Sequence, residues 1–386
     1  MLPTFRRVHA CRTCAHPVSQ CRFLRTLLTL SIETSCDDTS VAIVEKHGYG
    51  SSVPSQHTRT PLAELHYLGK VTANSLEYRG IHPIVSLESH QENLAELVCA
   101  SLEKLPKDVS QHNCIRTRGG KNVRKPDFIS VTRGPGMRSN LSTGLDTAKG
   151  LAVAWQVSVV AVNHMQAHAL TPRLVSAMHQ TADQPIKPEF PFLSLLVSGG
   201  HTMLVHSKSL NDHPTLASTS DIAIGDAIDK IARFVLPQTV LESSTSTMYG
   251  PVLENFVFPN GASDYNYTAP AKREQELARR VTLWGWAFGA PLAETRSGSK
   301  SKSMEYSFTG TCSTVKRLVE QSDHALSLGE RRDLAKEAMR VMFEHLASRV
   351  IFALMHMEGI ATTATEKIKT LVVSGGVAAN RYSRHM

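Results

Sequence analysis

Leu196-Val197-Ser198-Gly199-Gly200 and Val372-Val373-Ser374-Gly375-Gly376 are nearly the same word, 176 positions apart. Each is an apolar β-forming run that ends in a serine and two glycines, so each reads as a buried strand entering a tight turn. With no Cβ in the way, a phosphate or acyl oxygen can approach the backbone N–H groups of such a turn closely. One copy is equally well a plain hairpin turn. Two copies, beside a third turn rich in hydroxyls and acids at residues 34–40, suggest duplicated halves facing one nucleotide.

Working outward, the chain alternates strand-like and helix-like runs, the grammar of an α/β protein. Residues 27–32 and 41–45 flank the first turn as strands. Residues 128–132 and 157–162 read as buried strands on either side of Arg133-Gly134-Pro135-Gly136 and a helix over 142–155. Helical periodicity also covers 89–105, 222–234, 311–321 and 334–355. Residues 46–80 and 237–305 read as irregular, the latter containing Trp284 and Trp286.

The 386 residues suffice for two lobes, and no apolar run approaches the roughly 20 residues that a membrane span needs. The formal charge of +8 is unevenly spread. The first acid is Glu33, preceded by five arginines and no lysine, a composition that resembles a mitochondrial presequence over residues 1–32. Cys11 and Cys14 in that leader have no second pair to complete a zinc site. The scattered Cys36, Cys99, Cys114 and Cys312 fit a reducing compartment.

Asn163-His164-Met165-Gln166-Ala167-His168 places two imidazoles four residues apart. On a helix they share a face and can share one metal ion, or they are two ordinary histidines. A zinc protease would need glutamate directly after the first histidine, where Met165 stands, so that reading is disfavoured. Asp37 and Asp38 fit either a reacting centre or ordinary turn chemistry. Asp229, in Gly225-Asp226-Ala227-Ile228-Asp229-Lys230, suits a ribose hydroxyl or merely a helix's first turn. Asn380, four residues after Gly376, can reach back over a base or sugar. The acid-free basic run at 116–125 is a solvated insertion or a contact to a phosphate backbone.

Six motifs in order (IETSCDDT from Glu33's strand, the histidine pair, LVSGGHT, GDAIDK, SFTG at Ser307 and SGGVAANR from Ser374) resemble the tRNA adenosine threonylcarbamoyltransferase family, in its mitochondrial branch. The resemblance runs from about Leu27 to the last residue. It implies an actin-like ATPase fold, with two ribonuclease-H-like lobes at 33–162 and 163–386 around a central cleft. It also implies transfer of a threonylcarbamoyl group from threonylcarbamoyl-AMP to the adenosine 3′ of the anticodon in tRNAs reading ANN codons. His164 and His168 would hold one divalent metal ion, iron or zinc. Leu196, Val197, Ser198, Gly199, Gly200, Asp229, Gly250 and Asn380 would line the adenylate site, and Asp37 would stand near the reacting groups. The implied partners are mitochondrial tRNA, a separate synthase supplying the adenylate, and a second copy in a homodimer in the mitochondrial matrix, with no membrane.

The family's third metal ligand is an aspartate beyond the position matching Asn380, and the sequence to Met386 has no such motif. Residues 238–248 also replace a Pro-Gly-Gly-Pro approach with a Ser/Thr-rich stretch. The expectation is a second lobe incomplete at its C-terminus. The alternative is a non-catalytic paralogue that retains tRNA or partner binding.

Overall fold

The computed structural model describes residues 26–386 except 48–60, 79, 108–112, 182–183, 245–247, 294–297, 299, 323–325 and 361–366. Residues 1–25, most of the expected leader, lie outside the described residues. The first half comprises β1 (Leu27–Glu33), β2 (Asp38–Lys46), β3 (Ala63–Thr72), α1 (Pro83–Leu102), β4 (Cys114–Arg116), β5 (Asn122–Arg124), β6 (Phe128–Gly134), α2 (Arg138–Trp155), β7 (Ser158–Asn163) and α3 (His164–His179). The strands form a sheet in the order β3-β2-β1-β6-β7, with β4 and β5 pairing separately. β1, β2 and β3 are an antiparallel meander, and β6 and β7 run parallel to β1. Alternation explains the pairing: Leu28, Leu30 and Ile32 of β1 and Val41 and Ile43 of β2 all point into one core. Leu94 and Val98 of α1 and Ala148 and Ala152 of α2 close that core.

The second half repeats the plan. It comprises β8 (Phe192–Val197), β9 (Thr202–Ser207), β10 (Thr215–Thr219), α4 (Ile224–Val235), α5 (Gln238–Glu242), α6 (Gly250–Val257), α7 (Arg273–Leu277), β11 (Glu305–Tyr306), α8 (Thr309–Glu320), α9 (Leu328–Ile360), β12 (Leu371–Ser374) and α10 (Arg381–His385). The sheet order is β11-β10-β9-β8-β12, again a meander followed by a strand parallel to its first member. Its core is the larger one, with Ile228, Tyr306, Phe308, Met339 and Met342 all buried between the sheet and helices α4, α8 and α9.

Four expectations need correcting. The two Ser-Gly-Gly words do not belong to opposite halves. β8 and β12 are parallel neighbours in one sheet, with Ser374 level with Leu196, so both turns leave the same end of the same lobe. The true counterpart of the β8–β9 turn is the turn between β1 and β2. β7 is an exposed edge, with Val160 44% accessible, although its apolar run suits a strand with a neighbour on both sides. β3 lies inside the stretch expected to be irregular, because its alternation is weak and its outer face is half exposed. Leu27 to Ile32, inside the expected leader, are part of β1, with Leu28, Leu30 and Ile32 buried. α3, at the expected boundary between the lobes, packs against β3, β6 and β7 and also touches β8.

Candidate active site

The turn after β1 is held from several sides. Thr34 Oγ1 donates to Asn140 O at 2.8 Å, Met137 N donates to Ser35 O at 2.9 Å, and Asn140 Nδ2 donates to Cys36 O at 2.7 Å. Buried His90 meets Thr39 Oγ1 at 2.7 Å and Cys36 O at 2.8 Å. A Cβ at Gly136 would lie 2.6 Å from Ser35 O, so the Gly-Pro-Gly loop can lie against this turn only as glycine. Asp37 is fixed through its backbone, whose carbonyl accepts from Ala73 N at 2.9 Å. Asp38 instead spends its carboxylate on Lys70 and Thr72. Burial, helped by the neighbouring Asp37 charge, pushes the Cys36 thiol up to about 12, so it is no thiolate ligand at neutral pH.

Against this turn sit the two histidines. Asn163 caps α3 by accepting from Gln166 N at 3.1 Å, which starts the helix at His164 and puts His168 one turn on. The two Nε2 atoms are 3.1 Å apart. Two nitrogens bound at about 2.0–2.1 Å to one tetrahedral ion lie roughly 3.3 Å apart, so the pair fits a shared ion with little movement. His164 Nδ1 faces Ser35 Oγ at 3.1 Å and Glu33 Oε2 at 3.4 Å, a carboxylate–histidine arrangement that leaves Nε2 for a metal. Burial would raise the Glu33 carboxyl, but hydrogen bonds from His164, Ser35 and Thr132 outweigh it and hold it at about 2. Burial and the neighbouring His164 lower the His168 and His201 pKa values, keeping both imidazoles neutral at pH 7. A cleft of about 330 Å³ opens beside the pair between Glu33, Thr132 and Thr171.

The C-terminal lobe brings the residues expected at the adenylate site to one place. The His201 ring, directly after the first Ser-Gly-Gly, lies 5.6 Å from that of His164. Ser198 closes its own turn, accepting from His201 N at 2.9 Å, while Gly199 and Gly200 face open space. A Cβ at Gly225 would lie 2.7 Å from Gly199 N, so the start of α4 fits beneath this turn only as glycine. Asp229 Oδ1 accepts from Tyr249 N at 2.7 Å and Gly250 N at 3.1 Å, tying α4 to α6. Glu254 of α6 then accepts from Arg381 N at 2.8 Å, beside Asn380, whose side chain caps α10. Leu196, Val197, Ser198, Gly199, Gly200, Asp229, Gly250 and Asn380 thus gather at one end of one sheet. Leu196 and Val197 are buried strand residues that position the turn rather than face a ligand.

Sequence reasoning did not single out Glu33, Ser35, Thr132 or His201 as site residues. The first two stood in the quoted turn motif, but nothing in their spacing reveals that they meet a histidine 131 and 129 positions away. Ser307 Oγ donates to Asp221 at 2.7 Å, and the same carboxylate accepts from Phe308 N and Thr309 N at the start of α8. Trp284 and Trp286 hydrogen-bond Asp333 and Glu330 of α9, which staples the irregular region to the core.

Among the described residues, one three-ligand cluster can hold a cation: Glu45, Glu64 and His66, with ligand atoms within 4.8 Å. It lies at the far end of β2 and β3, and Glu45 there is already paired with Arg124 at 2.8 Å. No third carboxylate or thiolate joins the Nε2 atoms of His164 and His168 among the described residues.

Asp229 has a pH signature. Burial pushes its carboxyl up to about 6 against the opposing hydrogen bonds from Tyr249 and Gly250. The folded value lies above the ordinary 3.8, so its contribution to stability is full below about pH 4 and lost as pH rises through about 6. Asp229→Asn keeps an acceptor for both N–H groups and removes the titration. Its urea midpoint should gain on the parent's between pH 4 and pH 7; parallel curves would refute the shift.

The family model described as tRNA N6-adenosine threonylcarbamoyltransferase (TsaD) matches residues 66–386. The mitochondrial tRNA N6-adenosine threonylcarbamoyltransferase of Schizosaccharomyces pombe is 34% identical over 364 residues, 94% of this chain and 73% of that protein. The tRNA N6-adenosine threonylcarbamoyltransferase of Zymomonas mobilis is 30% identical over 92% of this chain and 76% of its own length. A probable mitochondrial counterpart from Arabidopsis thaliana is 28% identical over 93% of this chain and 62% of its own length. With its duplicated sheets and its histidine pair against a glycine turn, this chain belongs to the tRNA N6-adenosine threonylcarbamoyltransferase family.

Proposed function

We propose that this chain transfers a threonylcarbamoyl group from threonylcarbamoyl-AMP to the adenosine 3′ of the anticodon in mitochondrial tRNAs reading ANN codons. The observation that carries the reading is the 5.6 Å approach of His164 to His201, which joins the metal pair of one lobe to the glycine turn of the other. Family membership and the two mitochondrial relatives support the tRNA substrate and the compartment. The matrix location, a separate synthase as source of the adenylate, and action as a homodimer are parts of the same proposal.

His164 and His168 would hold one divalent ion, iron or zinc, with Glu33 fixing the ring of His164. Bound there, the ion supplies Lewis acidity to phosphate or carbamoyl oxygens. Backbone N–H groups of the exposed turn at Gly199 and Gly200 donate to the adenylate phosphate, and the second carboxylate oxygen of Asp229 accepts from a ribose hydroxyl. The adenosine amine attacks the carbamoyl carbon. A nitrogen–carbon bond forms, the bond from that carbon to the phosphate oxygen breaks, and AMP leaves with the electron pair. Asp37, in the turn whose Ser35 meets His164, takes the amine proton.

The test is complementation of a strain lacking mitochondrial threonylcarbamoyladenosine, read by mass spectrometry of tRNA nucleosides. The modified nucleoside should return with the parent chain and stay absent with His164→Ala. Equal restoration by both would sink the metal-centred reading, and no restoration by either would sink the transferase reading.

A further inference from the structure

The β4–β5 hairpin is not used by the site. Arg116, Arg118 and Lys121 are exposed on it, and Lys104 and Lys107 are exposed just after α1. The two segments form one surface, because Lys107 bridges to Val123 and Arg124 N donates to Pro106 O at 2.7 Å. Arg124 is turned inward on Glu45 and Asp127. Lys121 is paired with Glu103 at 3.2 Å, and the same carboxylate accepts from Gly119 N at 3.0 Å. Glu103 therefore clamps the hairpin tip to the end of α1. Lys104, Lys107, Arg116 and Arg118 form no ion pair among the described residues and stay directed at solvent on a fixed frame.

The frame sits far from the reaction. Asp127 N donates to Leu28 O at 2.8 Å, so the foot of the hairpin is level with the start of β1, whereas Glu33 and His164 lie beyond its other end. Five strand residues separate the two levels, roughly 17 Å at about 3.3 Å each. Along the axis of a nucleic-acid duplex that is the rise of about five phosphates of one strand, at 3.4 Å each.

We infer that Lys104, Lys107, Arg116 and Arg118 dock the phosphate backbone of the tRNA outside the anticodon loop, an inference that rests on the proposed transferase reading. Unpaired cations on a fixed frame bind phosphate by releasing condensed counterions, so the contribution is independent of sequence and falls with salt. It would hold the substrate while the reacting base is positioned by the other end of the sheet.

The experiment compares the full chain with Lys104→Gln/Lys107→Gln/Arg116→Gln/Arg118→Gln and with the single tip variant Arg118→Glu. Each is titrated with an unmodified tRNA transcript across a salt series, with a melting curve as the check on folding. The quadruple variant should bind about tenfold or more weakly at low salt, with a salt slope shallower by about 3. Arg118→Glu should shift in the same direction. Unchanged affinity and slope in both folded variants would overturn the inference and leave the transferase reading standing. Intact tRNA binding with loss of binding to phosphatidylserine vesicles would overturn it in favour of a lipid contact. A parent chain that binds no tRNA would fail the transferase reading itself and the inference with it.

Discussion

His164→Ala is expected to leave the protein folded, remove the divalent ion proposed for the pair, and lower threonylcarbamoyladenosine formation by about 100-fold or more. The pair offers two imidazole nitrogens 3.1 Å apart, and removing one leaves a single imidazole, too weak a hold for a labile ion. Glu33→Gln should fall between this variant and the parent. It keeps the histidine but loses the carboxylate that holds Nδ1, a change that typically costs 10–100-fold in metal affinity. Metal content by mass spectrometry and zinc titration of the refilled protein read both effects. His66→Ala is the decisive companion, since Glu45, Glu64 and His66 form the competing cluster. Metal lost with His66→Ala and retained with His164→Ala would move the centre to the far end of the sheet.

The largest loss of stability is expected from Gly375→Ala. Gly375 has φ +104°, a conformation closed to ordinary side chains, and any Cβ there would collide with the carbonyl of Val197. Strain and overlap add, because the backbone cannot relax one without worsening the other between two paired strands. We expect a loss of about 3 kcal/mol or more by urea denaturation, set against Gly200→Ala, whose Cβ would meet nothing within 4 Å. Equal midpoints for the two variants would show that the packing of the two turns is not the constraint.

Those two positions illustrate what was legible in the chain. Gly200 and Gly375 look alike in sequence, yet one faces open space and the other is jammed against a neighbouring strand. The strand-and-turn grammar could be read because Leu28, Leu30 and Ile32 alternate and because Ser-Gly-Gly ends a run of β-formers. That the two words leave the same end of one sheet side by side could not, since that depends on β12 crossing back to pair with β8. The histidine pair was visible through its four-residue spacing. Its orienting partners were not, because Glu33 and Ser35 meet His164 only when β1, β6 and β7 align in register. The residues that resemblance assigns to the adenylate site lie at one end of one sheet, while their assembly through Tyr249, Gly250, Glu254 and Arg381 is a property of helix packing that spacing does not encode.

The pairing of β12 with β8 also sets the order in which the molecule can be made. Leu371 meets Leu193 across 178 positions, whereas the first sheet is complete once residue 163 is available. Closing so long a loop must be met before its contacts reward it, which makes this the slow step in topological terms. During synthesis or passage through a membrane pore the first lobe therefore assembles early and carries its histidines already aligned. The apolar flank of β8 waits without a partner until the last strand arrives, and that interval is when the chain is most exposed to aggregation.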